Sequence, residues 1–163
     1  MKNNKLVLFS ALVNAILLST TAGAAGCSGY TCDGKDPVAM GCSSGAVTAA
    51  SKKSTGVFWR TFVELRWSPT CKTNWTRISY ENVTTTWDPN YDKKLTPQLL
   101  TATVYRSSNP KVSYTTTVAP LEATSWSPMV YGSGLCSYGN GTSYEKDFNL
   151  TKFLVSLTTA IKC

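Results

Sequence analysis

Six cysteines, Cys27, Cys32, Cys42, Cys71, Cys136 and Cys163, all lie beyond an apolar leader, and this arrangement constrains the chain more than any other feature. Lys2 and Lys5 make a positive start. Leu6 to Leu18 is apolar apart from Ser10 and Asn14, and Ala22-Gly23-Ala24 has the form of a cleavage site. Residues 1–24 therefore read as a secretory signal peptide, and the apolar run is short for a membrane span. An uncleaved N-terminal anchor is the plainer alternative. Residues 25–163 are expected to form a single secreted β domain with no further segment able to cross a membrane.

In an oxidising compartment an even cysteine count implies three disulfides. The sequence alone does not choose among the possible pairings. Grouping by nearness in the chain gives Cys27–Cys32, Cys42–Cys71 and Cys136–Cys163, each stabilising by roughly 2–4 kcal/mol through the unfolded chain. Two other uses of these thiols fit the sequence less well. Ala24-Ala25-Gly26-Cys27 is loosely like a lipid-attachment site, but Ala24 stands where a larger aliphatic is usual, and modifying Cys27 leaves one thiol unpaired. Thiolate zinc sites favour paired C-x2-4-C knuckles, which only Cys27 and Cys32 approach, so no metal is expected.

The chain of 163 residues contains no histidine. That excludes a Ser-His-Asp triad, a Cys-His dyad and histidine-ligated zinc.

Beyond the Gly-, Ser- and Cys-rich stretch Cys27 to Ser54, expected to be an irregular loop, the pattern is that of strands. Ala46 to Lys53 is the exception, reading as a short helix. From Val57 to Trp67, Val57, Trp59, Thr61, Val63, Leu65 and Trp67 alternate with Phe58, Arg60, Phe62, Glu64 and Arg66, the signature of a half-buried strand that Ser68-Pro69 ends. Trp75 to Val83 is a second strand with Ile78 and Tyr80 on one face. Leu99 to Tyr105 and Val112 to Val118 read as a hairpin through Ser107-Ser108-Asn109-Pro110. Asp88-Pro89-Asn90 is turn chemistry, and Asn140-Gly141 carries a strong two-residue hairpin signal. Phe153, Val155, Leu157, Thr159 and Ile161 alternate along a last strand running to Cys163. The expected fold class is all-β: a small disulfide-stapled antiparallel sandwich or barrel with an irregular Cys-rich N-terminal loop.

Candidate ligand-binding residues are few. Asp33, Lys35 and Asp36 cluster in Asp33-Gly34-Lys35-Asp36-Pro37, either a partial oxygen site for Ca2+ or a charged turn whose carboxylates cap local amides. Glu64 and Arg66 share the polar face of one strand, either as an anion clamp or as a cross-strand ion pair. Glu64 with Glu81 is a conceivable hydrolytic carboxylate pair. Trp87, beside Asp88-Pro89, is the tryptophan expected in an exposed loop, whereas Trp59 and Trp67 read as core. The net charge is +7, two of which belong to Lys2 and Lys5. The cations are scattered, with Lys52-Lys53 and Lys93-Lys94 the only pairs, which argues against specific nucleic-acid binding. Asn74-Trp75-Thr76, Asn82-Val83-Thr84, Asn140-Gly141-Thr142 and Asn149-Leu150-Thr151 match the glycosylation acceptor pattern and read as chance in a Thr-rich chain.

Cys32-Asp33-Gly34-Lys35-Asp36-Pro37, Gly41-Cys42 and Val63-Glu64-Leu65-Arg66-Trp67-Ser68-Pro69-Thr70-Cys71 together resemble a family of small secreted bacterial proteins of unknown function, domain of unknown function 2690, over Cys27 to Arg77. The resemblance implies that the first four cysteines form two bridges among themselves. It also implies a sensing or binding module more than an enzyme, because some members look like the outer part of membrane-anchored regulators. It carries no activity to transfer.

The expected role is thus a secreted extracellular binding or interaction module for an anionic or glycan cell-surface polymer, without a cofactor. A secreted hydrolase of carboxylate type and an effector acting on competing cells are the alternatives.

Overall fold

The structure is a computed structural model that describes residues 24–54, 59–82, 99–108, 111–118, 124–146 and 152–163. The signal-peptide segment, Val57, the turn at Asp88-Pro89-Asn90, Trp87, and the Asn109-Pro110 part of the hairpin loop lie outside the described residues, as do the side chains of Trp59 and Phe153.

The alternation of apolar and charged residues in Trp59–Ser68 (β2) makes one face bury and the other meet water. Val63 and Leu65 are fully buried, while Glu64 and Arg66 stay on the opposite side. Four residues, Pro69 to Lys72, turn the chain into Thr73–Asn82 (β3). Lys72 closes this turn with a positive φ of 58° and a 2.8 Å bond from its N–H to the Ser68 carbonyl. The two strands pair antiparallel with Val63 opposite Ile78 and Glu64 opposite Arg77.

Val47–Lys53 (β1) covers the other edge of β2, with Thr48 opposite Arg66 and Lys52 opposite Val63. The short helix expected over Ala46 to Lys53 is therefore a strand. The free amides and carbonyls of the β2 edge outweigh a weak local helical preference. On the far edge of β3, Thr124–Trp126 (β6) and Val130–Tyr131 (β7) pair at successive positions and complete the first sheet.

The second sheet is built from Leu99–Arg106 (β4), Val112–Val118 (β5), Ser137–Lys146 (β8) and Lys152–Thr158 (β9). Its order is β5-β4-β8-β9, all antiparallel. The two sheets stack face to face as a sandwich and do not close into a barrel. Val63, Ile78, Leu100 and Ala102 fill one part of the core between them. Leu65, Val104 and Val130 fill another.

Asn140-Gly141, expected to make a hairpin, sits in the middle of β8. A Cβ at Gly141 would lie 2.4 Å from Val63 Cγ2 and 3.0 Å from Ile78 Cδ1, and one at Gly139 would lie 2.5 Å from Thr76 Oγ1. These glycines serve close sheet-to-sheet approach, where no side chain fits. The closeness lets polar groups bridge the layers: Thr76 donates to the Thr103 carbonyl at 2.7 Å, and the hydroxyls of Thr61 and Ser143 lie 3.2 Å apart.

The last strand is shorter than its apolar alternation suggests. β9 ends at Thr158, and the Thr159 hydroxyl accepts the Gly139 N–H at 2.9 Å. Lys162 then rejoins β8 through paired backbone bonds with Ser137, leaving Ile161 exposed.

Disulfides join Cys27 to Cys32, Cys42 to Cys71 and Cys136 to Cys163. The first two pack with Trp75 and Met129 into a separate apolar cluster, over which the N-terminal loop folds. The third ties residue 163 to the start of β8.

Candidate functional site

The charged turn after Cys32 is a docking element. Asp36 Oδ1 accepts the N–H groups of Val38 and Ala39 at 2.8 Å each, the local capping its position suggests, and its Oδ2 accepts the indole N–H of Trp126 at 2.8 Å. Asp33 works at longer range. Its Oδ2 meets Arg106 Nη1 at 2.8 Å, and its Oδ1 accepts the Tyr131 N–H at 2.5 Å. Arg106 comes from the inner face of β4 and is only 3 % exposed, with the Tyr30 ring 5.1 Å from its guanidinium carbon and Tyr131 packed on Tyr30. Lys35 is exposed, and its backbone bonds the loop to Met129. The carboxylate oxygens of this block are held by protein partners, which suits a loop fastened to the sandwich and not a cation site.

Glu64 and Arg66 also face each other as their spacing requires, inside a network across three strands. Glu64 Oε1 accepts from Thr48 at 2.7 Å, and its Oε2 lies 2.5 Å from Arg77 Nη2. Arg66 Nη1 stands 3.6 Å from Glu64 and donates to the Thr48 hydroxyl, while its Nη2 donates to the Ala46 carbonyl at 2.8 Å. Burial raises the Glu64 carboxyl. The hydrogen bonds from Thr48 and Arg77 and the charges of Arg77 and Arg66 outweigh it and hold the group below its ordinary 4.5. Glu81 pairs with Arg60 at 2.8 Å. The Arg60–Glu81 row lies four residues along β2 from Glu64, roughly 13 Å away, so the two glutamates are too far apart to act as a hydrolytic pair.

The Sγ atoms of Cys27, Cys32, Cys42 and Cys71 all lie within 4.8 Å of one another, and each is oxidised to a disulfide. As disulfides they offer no thiolate to a metal.

A different surface has the makings of a binding face. Leu100, Ala102 and Val104 point into the core, so Thr101, Thr103 and Tyr105 lie on the opposite face, where Thr103 is itself covered by its neighbours and Thr101 and Tyr105 are half-buried. The register sets these residues in cross-strand rows. Thr117, Thr101, Thr142 and Ser156 form one. Thr115, Thr103, Asn140 and Thr158 form the next. Ser113, Tyr105 and Tyr138 form the third. These rows carry no charged side chain. Thr101 and Thr117 are joined at 3.1 Å, Thr103 and Thr115 at 2.9 Å, and Asn140 donates to the hydroxyl of Thr158 at 3.0 Å.

At the end of this face the rings of Tyr105 and Tyr138 stack with centroids 4.7 Å apart and planes 10° from parallel. Beside them is a cleft of about 350 Å³ whose wall includes Ser107, Lys111 and Ser113. None of these residues stands out in the sequence. The period-2 run of Thr, Thr and Tyr in β4 is the trace they leave, and only the pairing of β4 with β8 brings the two tyrosines together.

A family model described as protein of unknown function (DUF2690) matches residues 30–138. No curated protein and no solved structure matches the chain.

Proposed function

The chain belongs to the DUF2690 family of proteins of unknown function, and we propose that it is an extracellular binding module for a cell-surface glycan, with its outer β5-β4-β8-β9 face as the contact surface. The observation that carries this reading is the stacked Tyr105–Tyr138 pair beside Lys111, on a face that otherwise bears hydroxyl and amide groups. Aromatic rings cover the apolar faces of pyranose rings. Threonine, serine and asparagine exchange hydrogen bonds with sugar hydroxyls, and a lysine at the margin favours polymers that carry acidic groups. Export is supported by the leader and by the three disulfides, which persist in oxidising surroundings. Among the described residues no helix is long and apolar enough to cross a membrane. Among the described residues, the acidic side chains Asp33, Asp36, Glu64 and Glu81 are held by ion pairs or hydrogen bonds, and none of these four is free to act as a hydrolytic carboxylate.

The test is co-sedimentation of the oxidised protein with teichoic-acid-bearing cell walls at low and high salt. Pelleting that survives high salt and is lost in Tyr138→Ala supports recognition through the tyrosine face. Pelleting that disappears with salt and is unchanged in Tyr138→Ala reassigns the contact to charge alone. No pelleting at either salt sinks the proposal.

A further inference from the structure

We propose that a second recess, apart from the tyrosine face, binds one acidic sugar residue, a uronate. The recess lies at the end of the sandwich where β2 finishes and β3 starts, has a volume of about 320 Å³, and is walled by Trp67, Asn74, Gly132, Leu135 and Lys162 among others.

Asn74 is the strongest indication. Its residue is 4 % exposed, yet its side-chain amide hydrogen-bonds to no protein group among the described residues. The amide opens onto the recess, so whatever occupies the recess supplies its hydrogen-bond partners. The burial also means that Asn74-Trp75-Thr76 does not present its asparagine as a glycosylation acceptor.

The recess is shaped around that amide. A Cβ at Gly132 would stand 1.9 Å from Asn74 Nδ2 and 3.3 Å from Trp67 Cζ3, so amide and indole both lie against bare backbone. Lys162 also lines the recess, with its main chain held by two backbone bonds to Ser137, at 2.7 and 2.9 Å, and by the neighbouring Cys136–Cys163 bridge. Its ammonium makes no ion pair among the described residues, and no acidic side chain lines the recess.

These groups select a ligand class. A half-buried indole offers an apolar wall for a pyranose ring. An amide with two donors and one acceptor reads neighbouring hydroxyls. A lone ammonium favours a carboxylate. The volume is at the lower end for small-ligand sites, which suits one ring and not a stretch of polymer. The inference does not depend on the tyrosine face, and its readout is confined to the recess.

The experiment is a titration of the 15N-labelled, oxidised protein with glucuronate, glucose and a glucuronate-terminated oligosaccharide, following the Asn74 side-chain amide and the Trp67 indole N–H. Saturable shifts of both signals with glucuronate, with glucose about tenfold weaker or worse, are expected. Lys162→Gln, an exposed change that leaves the fold intact, should bring glucuronate down to the level of glucose. Gly132→Ala should abolish the shifts. Tighter binding of the oligosaccharide identifies the end of a polymer as the source, and equal binding identifies the free sugar. Absence of saturable shifts, equal response to both monosaccharides, or an unchanged Lys162→Gln variant overturns the proposal.

Discussion

Arg106 and Asp33 meet at 2.8 Å across a separation of 73 residues, joining the inner face of the second sheet to the disulfide loop. The pair is one of the contacts by which the loop closes one end of the sandwich, and the same carboxylate also holds the Tyr131 N–H of β7. Asp33→Ala takes a carboxylate away from a buried guanidinium and an acceptor from the Tyr131 N–H, and is expected to cost about 3 kcal/mol or more. In the double variant Asp33→Ala/Arg106→Met, part of that loss should return, because the buried charge goes together with its carboxylate. Urea midpoints of the single and double variants measure the coupling. Costs below about 1 kcal/mol for the single change would show that the pair does not hold the loop.

Glu64 gives the fold an acid sensitivity of known sign. Its folded-state carboxyl titrates below its ordinary 4.5, so the unfolded chain takes up the proton first. The stabilisation is full above that ordinary value and is lost as pH falls through the lower folded value. Glu64→Gln should flatten this part of the stability profile and leave the neutral region less stable than wild type. Denaturant melts from pH 7 down to pH 3 decide it: parallel profiles for the two proteins would contradict the network.

Gly141→Ala is expected to destabilise strongly for its size. The new methyl has no room beside Val63 Cγ2, so about 1–3 kcal/mol of overpacking follows, or more if β8 shifts. Val63→Ala opens that space, and the double variant should lose less than the two single losses combined. Thermal melts of the three proteins test the non-additivity.

Removing the last disulfide by Cys136→Ser/Cys163→Ser should cost about 3–4 kcal/mol by the loop-entropy account. It should also loosen Lys162 and weaken uronate binding severalfold in the native protein. Chemical denaturation gives the first quantity and the amide titration the second. A full disulfide penalty with unchanged binding would mean that the bridge does not position the lysine.

Some of this was legible in the sequence. The alternation of Val63 and Leu65 with Glu64 and Arg66 marks a strand with one wet face, because burial of one side is a local property of the pattern. The same pattern holds for β4 and β5. Pairing partners are different. Nothing between Val47 and Lys53 announces a strand, because what makes it one is the edge of β2. Asn140-Gly141 has the same chemistry in a tight turn as in a strand pressed against another sheet, and the deciding atom, Val63 Cγ2, lies 78 positions earlier. The ligand candidates divide in the same way. Glu64 with Arg66 was visible from spacing, but its third partner, Arg77, depends on register. Asn74, Gly132 and Lys162 come together only when strands from both sheets and the segment after β7 are in place.

The matched span, residues 30–138, is not a unit that can be cut out and expressed. It excludes Cys27 and Cys163 and so leaves Cys32 and Cys136 each without the sulfur it is bonded to. It also omits β9 and most of β8, including Gly139 and Gly141, and leaves the β4–β5 hairpin with an open edge and Val63 and Ile78 without the β8 backbone that packs on them. Such a fragment presents unpaired backbone and two stray thiols, the ingredients of cross-linked aggregates. Any comparison among relatives at the level of folded protein has to carry the chain through to its final cysteine.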